Sequence, residues 1–181
     1  MNASQHSVLL EFVRGVVCNE VGASPPPTRP SDVPDDAGGG AFVTLKRGQR
    51  LRGCMGTFSP SGSLLDTLDS VARSACRDPR FKTCPVTAKE TPALSIEVSL
   101  LTVPESVTDR GTIEAGRHGI IVRRGSRSGC FLPQVAVERG WTSAEFLSQC
   151  CVAKAKLPAN AWQDPATEVL SFTAEVFGEQ E

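Results

Sequence analysis

Residues 51–57, with the sequence LRGCMGT, place a cysteine between two glycines and close to an arginine. A cysteine thiolate is a nucleophile and a metal ligand, and a neighbouring guanidinium stabilises its negative charge. In a regular strand, residues two apart point to the same face, so we expect Arg52 on the face of Cys54. Gly53 and Gly56 would let a ligand or another backbone approach closely. Cys54 is therefore a candidate nucleophile; the alternative is a buried thiol that packs where the strand passes a helix.

Two further side chains could complete such a site. His118 lies between Gly116 and Gly119, just before an apolar segment, and an imidazole can act as acid or base near pH 7. Glu97 lies on the polar face of an alternating segment. A thiol, an imidazole and a carboxylate together form a set of nucleophile, base and orienting group. The alternatives are a loop histidine bonded to backbone groups, and a carboxylate that is solvated or paired with an arginine.

The other cysteines form no recognisable framework. The chain has seven cysteines and two histidines. The odd count, the irregular spacing and the lack of a CxxC motif argue against a disulfide framework and against a structural zinc site. We therefore expect no metal and no cofactor. The glycines of residues 116–129 match neither a dinucleotide fingerprint nor a P-loop.

Composition excludes several classes of function. The chain has 181 residues, of which 40% are hydrophobic and 22% are charged, so it can build a packed core. Its net charge is −1 and its arginines occur only in short local clusters, so we expect no nucleic-acid-binding face. No apolar run approaches the ~20 residues of a membrane helix, and the N-terminus lacks a signal peptide. These features predict a cytoplasmic protein that binds neither nucleic acid nor membrane, with its oligomeric state undetermined.

Hydrophobic periodicity predicts the elements that would position the candidate residues. Apolar residues at helical spacing predict helices over residues 7–21, 64–78 and 142–157. Serines precede the second of these helices as candidate caps: Ser61 and Ser63. Apolar segments bounded by turns predict strands over 41–45, 51–58 and 93–103, a strand–turn–strand unit within 118–136, and one closing strand over 168–179. Residues 133–140 begin with proline and predict a short helical turn.

Strands joined by hairpins, with helices between them, predict an α+β fold. It would be built on a mostly antiparallel sheet flanked by helices. The length fits one domain, and we expect residues 1–181 to form a single domain. Residues 22–40 are rich in proline and glycine and predict a long loop within it.

Several segments together resemble a known family. They are GAFVTL followed by LRGCMGTF, DPRF, LSIEVSLLT, GRHGIIVRRGSRSGCFLPQVAVERGW and AWQDPATEVLSFTAEVFGE. These segments resemble the AMMECR-type domain, and within that family protein A of the AmmeMemoRadiSam system of bacteria and archaea. The similarity extends over nearly the whole chain and is weakest at residues 22–40. It implies a larger and a smaller lobe with a cleft near the LRGC motif, and it implies a radical-SAM protein and a Memo-like protein as partners.

The resemblance assigns roles to particular residues. The family motif falls on Leu51, Arg52, Gly53, Cys54, Gly56 and Thr57, with Met55 in place of the more usual isoleucine, and its HG pair falls on His118 and Gly119. The resulting hypothesis is a component of a modification system in which Cys54 is nucleophile or acceptor, His118 supplies acid–base chemistry and Glu97 is an orienting group. The expected substrate-binding residues are Arg52, Gly53, Gly56, Thr57 and Gly119. The alternative is a non-catalytic adaptor that binds partner proteins or a small anionic ligand.

Overall fold

The structure is a computed structural model that describes residues 1–60 and 62–179. Its contacts divide the chain into two compact units: Met1–Leu101 together with the C-terminal segment from Glu175, and Thr102–Ala174. The described strands form two four-stranded sheets, rather than the one sheet that we predicted from the sequence. The α+β class is confirmed. The single domain over residues 1–181 stays a prediction.

The helices and strands follow the predicted order closely. In chain order they are α1 (Ala3–Glu20), β1 (Gly40–Arg47), β2 (Arg50–Thr57), α2 (Leu64–Cys76), β3 (Ser95–Leu101), β4 (Glu105–Ser106), β5 (Gly119–Arg124), β6 (Arg127–Phe131), α3 (Pro133–Arg139), α4 (Ser143–Gln149), β7 (Glu168–Phe172) and β8 (Ala174–Gly178). The strand order is β2–β1–β3–β8 in the first sheet and β4–β7–β5–β6 in the second. Both predicted hairpins are confirmed, as β1–β2 and β5–β6.

Helices α1 and α2 build the core of the first unit. Ser63 caps α2: its Oγ accepts a hydrogen bond from the backbone N–H of Asp66, and its own backbone N–H donates to the Asp66 carboxylate. Ser61, the other candidate cap, lies outside the described residues. The apolar faces of both helices share one buried cluster with alternate residues of the strands, among them Val43 and Val98. One face of the first sheet therefore packs against α1 and α2. Cys54 lies on β2, a strand of this sheet.

The prediction of one closing strand over residues 168–179 was wrong. Residues 168–179 form two strands that belong to different sheets, β7 in the second and β8 in the first. The break falls at Thr173, whose N–H donates to Thr102 Oγ1 (2.9 Å) and whose carbonyl accepts from the Thr102 N–H (3.0 Å). Alternation of apolar and polar residues continues through this point, so the pattern gives no sign of the change of sheet.

The proline-rich segment is an irregular loop, as predicted. Residues 22–39 contain neither helix nor strand, but the chain is fastened at several points. Pro27 lies so close to α1 that a Cβ on Gly15 would be 2.6 Å from it. The Asp35 carbonyl accepts a hydrogen bond from the N–H of Leu64 (3.0 Å), and Val33 packs on the core. The loop therefore covers the helices, and its length is compatible with a fixed path.

The main helix of the second unit ends in a π-helical turn. The helix predicted over 142–157 begins with the Thr142 cap, but α4 gives way to a π-helical turn over Cys150–Ala155. Lys156 closes the turn in the left-handed conformation, with φ of 57°. This turn lies against β6, where a Cβ on Gly129 would be only 2.4 Å from the Ala155 nitrogen. The π-helical turn and β6 therefore pack with their backbones in close contact at Gly129.

Gly53 is the point at which the end of α2 meets β2. A Cβ at this position would lie 2.0 Å from the carbonyl oxygen of Ala75. That distance is far inside van der Waals contact and the neighbour is backbone, which is held in place by the helix. Glycine is required here by the approach of the chain's own helix.

Substitution of Gly53 should therefore weaken the first unit. We expect Gly53→Ala to lower the free energy of unfolding by about 3 kcal/mol, because helix and strand must separate to admit the methyl group. Gly111→Ala is the matched control, since its Cβ would meet only a side-chain oxygen of Asp109 at 3.1 Å. Urea unfolding of both variants measures the difference, and an unchanged midpoint for Gly53→Ala would contradict this packing.

Candidate functional site

Strand β2 contains a β-bulge at Arg52. The register pairs Leu45 with Gly53 and Lys46 with Leu51, so it skips Arg52. A bulge adds one residue to one strand and redirects the side chains beside it. From the sequence we expected Arg52 on the same face of the strand as Cys54, which holds only for a regular strand. Strand β2 is irregular at Arg52.

The Arg52 guanidinium lies in a buried ion pair. Its Nε and Nη2 donate to the two carboxylate oxygens of Glu90 at 2.9 and 2.8 Å. Nη2 also donates to the carbonyl oxygens of Cys84 and Pro85, both at 3.1 Å, and the side chain is only 5% exposed. The hydrogen bond from Arg52 lowers the pKa of Glu90, although burial opposes it. Arg52 therefore fastens the irregular segment around residues 84–90 to β2.

The Cys54 thiol is half-buried and has a polar neighbour on the next strand. Its Sγ accepts a hydrogen bond from Thr44 Oγ1 at 3.3 Å. The backbone of Cys54 is held from the other side, where its N–H donates to Asp78 Oδ2 (3.0 Å) and its carbonyl accepts from Arg80 Nη2 (3.1 Å). Both the side chain and the main chain of the cysteine are thus fixed by hydrogen bonds.

Asp78 and Arg80, from the segment DPRF, form a local ion pair beside Cys54. Asp78 is 1% exposed, whereas Arg80 is 58% exposed. The Arg80 backbone N–H and its Nε both donate to Asp78 Oδ1 at 3.0 Å. This pairing, more than the bond from the Cys54 N–H, lowers the pKa of Asp78 to about 2. Asp78 also raises the pKa of Arg80, to which Cys54 adds a smaller effect. The cation next to the thiol is therefore Arg80.

Glu97 belongs to the same cross-strand row as Cys54. Thr44 is paired with Cys54 on one side and with Glu97 on the other. Directly opposed residues of antiparallel strands share a face, so the thiol, the hydroxyl and the carboxylate lie along one row. Glu97 is 31% exposed and accepts a hydrogen bond from Lys46 Nζ at 3.3 Å. Its ionic partner is thus a lysine of the neighbouring strand.

His118 and Gly119 belong to the second unit, whereas Cys54 and Glu97 belong to the first. The Nδ1 of His118 accepts a hydrogen bond from the backbone N–H of Glu114 at 3.0 Å. In the neutral imidazole the proton is therefore on Nε2, which makes that nitrogen a donor. Gly119 opens β5, where the ring of Phe172 leaves no room for a side chain.

The glycines beside Cys54 are occupied by atoms of the chain itself. Gly53 meets the end of α2, and a Cβ on Gly56 would lie 2.3 Å from Cγ of Phe42. Thr57, the last motif residue, has its hydroxyl bonded to the backbone of Ser59. A cavity of about 190 Å³ lies along this end of β2, lined by Gly56 and Thr57 and by hydroxyl groups of α2.

Four residues of this site were not identified from the sequence: Thr44, Asp78, Arg80 and Glu90. The DPRF segment did offer a signal, because an aspartate before a proline is typical of a capped turn. Thr44 offered none, since a regular hairpin would place a different residue opposite the cysteine. In the described part of the chain, no three histidine, cysteine, aspartate or glutamate side chains are grouped to hold a metal ion. Over the same residues, no helix combines the length and apolarity needed to cross a membrane.

The Asp78 pair predicts a pH-dependent contribution to stability. The folded pKa of about 2 is below the ordinary value of 3.8, so ionised Asp78 stabilises the fold above about pH 4, and this is lost as pH falls towards 2. We expect Asp78→Asn to lower the free energy of unfolding at pH 7 by about 2 kcal/mol, a deficit that shrinks to about half at pH 3.

Chemical denaturation at both pH values measures this deficit. Asp32→Asn, an exposed loop carboxylate, is the control and should change little at either pH. A deficit for Asp78→Asn that is equal at pH 3 and pH 7 would show that the ion pair is not its source.

Comparison with known proteins places the chain in a family. It matches the AMMECR1 family over residues 10–177. Protein MK0488 of Methanopyrus kandleri is 45% identical over 152 residues, covering 78% of this chain and 72% of that protein. Protein TK0174 of Thermococcus kodakarensis is 41% identical over 167 residues, covering 86% and 79%. The crystal structure of the uncharacterized protein PH0010 from Pyrococcus horikoshii matches with a TM-score of 0.87 and 35% identity, over 99% of this chain and 94% of that one. The chain is therefore a member of the AMMECR1 family.

Proposed function

We propose that this AMMECR1-family protein is the protein A component of a modification system of the AmmeMemoRadiSam type, and that Cys54 is its nucleophile or group acceptor. The surroundings of the thiol carry this proposal. Sγ of Cys54 is half-buried and accepts a hydrogen bond from Thr44 Oγ1 at 3.3 Å, and Arg80 Nη2 donates to the Cys54 carbonyl at 3.1 Å. The hydroxyl and the guanidinium hold the cysteine in place, while part of its side chain stays open to a substrate.

The reaction assigned to this site is nucleophilic attack by sulfur. The thiol gives its proton to water, the thiolate forms a bond to an electrophilic centre of the substrate, and the leaving group departs with its electron pair. Arg80 is more than half exposed, so its guanidinium can also contact an anionic group of the incoming substrate. Arg52, Gly53, Gly56 and Thr57 are the proposed substrate-binding residues of the first unit, and Gly119 is the proposed substrate-binding residue of the second.

Glu97 and His118 are the other proposed catalytic residues, Glu97 in the first unit and His118 in the second. With Nδ1 occupied by the Glu114 N–H, His118 would act through Nε2 as a proton donor. Glu97 would act through the row that it shares with Thr44 and Cys54. The proposed partners, a radical-SAM protein and a Memo-like protein, would supply or consume the modified group.

The alternative proposal is a non-catalytic adaptor. The observation that favours it is the packing around the motif, since the Ala75 carbonyl and the Phe42 ring occupy the space beside Gly53 and Gly56. The glycines are then explained by internal packing alone. In this case Cys54 would be a structural thiol, and the protein would act by binding its partners.

Alkylation separates the two proposals. We expect Cys54 in the folded protein to react with iodoacetamide at pH 7 at least as fast as the same cysteine in a synthetic LRGCMGT peptide. Thr44→Val should slow the reaction about fivefold, because the hydrogen bond to sulfur is worth about 1 kcal/mol. Thr44→Ser keeps the hydroxyl and should retain most of the rate. Mass spectrometry of the labelled peptide identifies the site.

The opposite pattern of labelling rates would contradict the assignment of Cys54 as the nucleophile. It would consist of labelling at least tenfold slower than in the peptide, with no difference between Thr44→Val and Thr44→Ser.

Pull-down with the two partner proteins tests the adaptor separately. We expect Cys54→Ser to retain binding, because the side chain is half-buried and serine preserves its size. If the wild-type protein captures neither partner, the assignment to this system fails, whatever the reactivity of the thiol.

A further inference from the structure

A second concave site lies in the first unit, beside the buried ion pair of Arg52. It is a cavity of about 370 Å³, within the size range of small-ligand sites. We call it the basic cavity and define it by six of its lining residues: Arg47, Arg52, Cys84, Thr87, Lys89 and Glu90. The Thr87 N–H donates to Glu90 at 2.9 Å, so the wall that carries the carboxylate is fixed.

The basic cavity has an excess of positive charge. Three of its residues are cations, and Glu90 is the one carboxylate among the lining residues. Glu90 is already shared by both guanidinium donors of Arg52. Within residues 1–60 and 62–179, neither Arg47 nor Lys89 forms an ion pair. The lining therefore has an excess of two positive charges, although the charge of Arg47 also acts on Glu90 without a direct ion pair.

Arg52 also contributes a hydrogen-bond donor without an acceptor. Only 5% of its side chain is exposed. Its Nη1 is buried and has no hydrogen-bond partner among the described residues. A buried donor without a partner is unfavourable, more so when it is charged. The other guanidinium nitrogens donate to Glu90 and to the backbone carbonyls of Cys84 and Pro85, so the Arg52 side chain is a fixed, charged wall of the basic cavity.

We propose that the basic cavity binds a phosphate group. An excess of two positive charges matches the charge of a phosphate or phosphate monoester near pH 7. Guanidinium groups match the geometry of phosphate oxygens, and the exposed Arg47 offers one such group in the lining of the cavity. The proposal goes beyond the chemistry assigned to Cys54 and is independent of it, because the thiol at position 54 is not needed for the charge match.

Cys84 provides a reporter for occupancy of the site. It is exposed and lines the same wall, and its carbonyl accepts from Arg52. A bound dianion would shield this thiol and oppose formation of its thiolate by like-charge repulsion. Alkylation of Cys84 should therefore slow when phosphate is bound, whereas alkylation of Cys54 should not.

The test is a titration of the full chain at constant ionic strength, followed by calorimetry and by mass-spectrometric labelling of Cys84. The probes are inorganic phosphate and O-phosphoserine, with serine and chloride as controls. We expect saturable binding of at least one phosphate probe and none of serine. Tighter binding of inorganic phosphate would identify the free ion as the ligand, and tighter binding of phosphoserine would identify a phosphorylated molecule.

Two double variants locate the site. Arg47→Gln/Lys89→Gln removes the two exposed cations, leaves the Arg52–Glu90 pair intact, and should weaken phosphate binding at least about tenfold. Arg50→Gln/Lys82→Gln makes the same change in charge at exposed positions outside the cavity and should change binding less than about twofold. Cys54→Ser should bind phosphate as the wild type does, which separates this result from that of the alkylation test.

Three outcomes would overturn the proposal. The first is no saturable binding of either phosphate probe. The second is equal weakening in both double variants, which would indicate attraction by net charge alone. The third is equal protection of Cys84 and Cys54 by phosphate, which would indicate that the anion does not occupy the basic cavity.

Discussion

The β-bulge at Arg52 is the constraint on which the candidate site depends. A hairpin that continued its pairing from the turn without interruption would set Cys54 opposite Val43, a residue of the buried core. Because opposed residues share a face, the thiol would then point towards the helices. The extra residue shifts the register by one and sets Cys54 opposite Thr44 instead. One unpaired backbone position therefore decides whether the thiol packs in the core or meets a hydroxyl group.

Two ion pairs hold the irregular chain around this bulge. Arg52 and Glu90 are both largely buried, and Asp78 is buried under the half-exposed Arg80. Compared with apolar side chains of similar size, buried pairs of this kind add little net stability, because desolvation opposes their attraction, whereas removal of one partner alone is destabilising. Their effect is on geometry, since each pair accepts only one arrangement of its partners. The ring of Phe81 lies between the two pairs, with its centroid within 5.9 Å of both guanidinium groups. The same contacts therefore position this ring.

Much of the fold could be predicted from the sequence, and much of the site could not. Helix α2 was predictable because its cap and its apolar face agree, and the β1–β2 hairpin because its turn separates two apolar segments. The bulge was not, since hydrophobic alternation carries no information on which strand holds an extra residue. For the same reason Arg52 was expected beside Cys54, where the structure has Arg80. Contacts between distant segments, such as Arg52 with Glu90, depend on packing that no local pattern encodes.

The change of sheet at Thr173 affects how the chain can be made. β3 pairs with β1 on one side and with β8 on the other, yet residues 102–173 are synthesised between β3 and β8. A chain still emerging from the ribosome therefore has β1, β2 and both large helices of the first unit, while the outer edge of β3 remains open. Open edges pair readily with other chains. Strand β8, which is translated only after the whole second unit, completes the sheet that carries Cys54 and protects that edge from association.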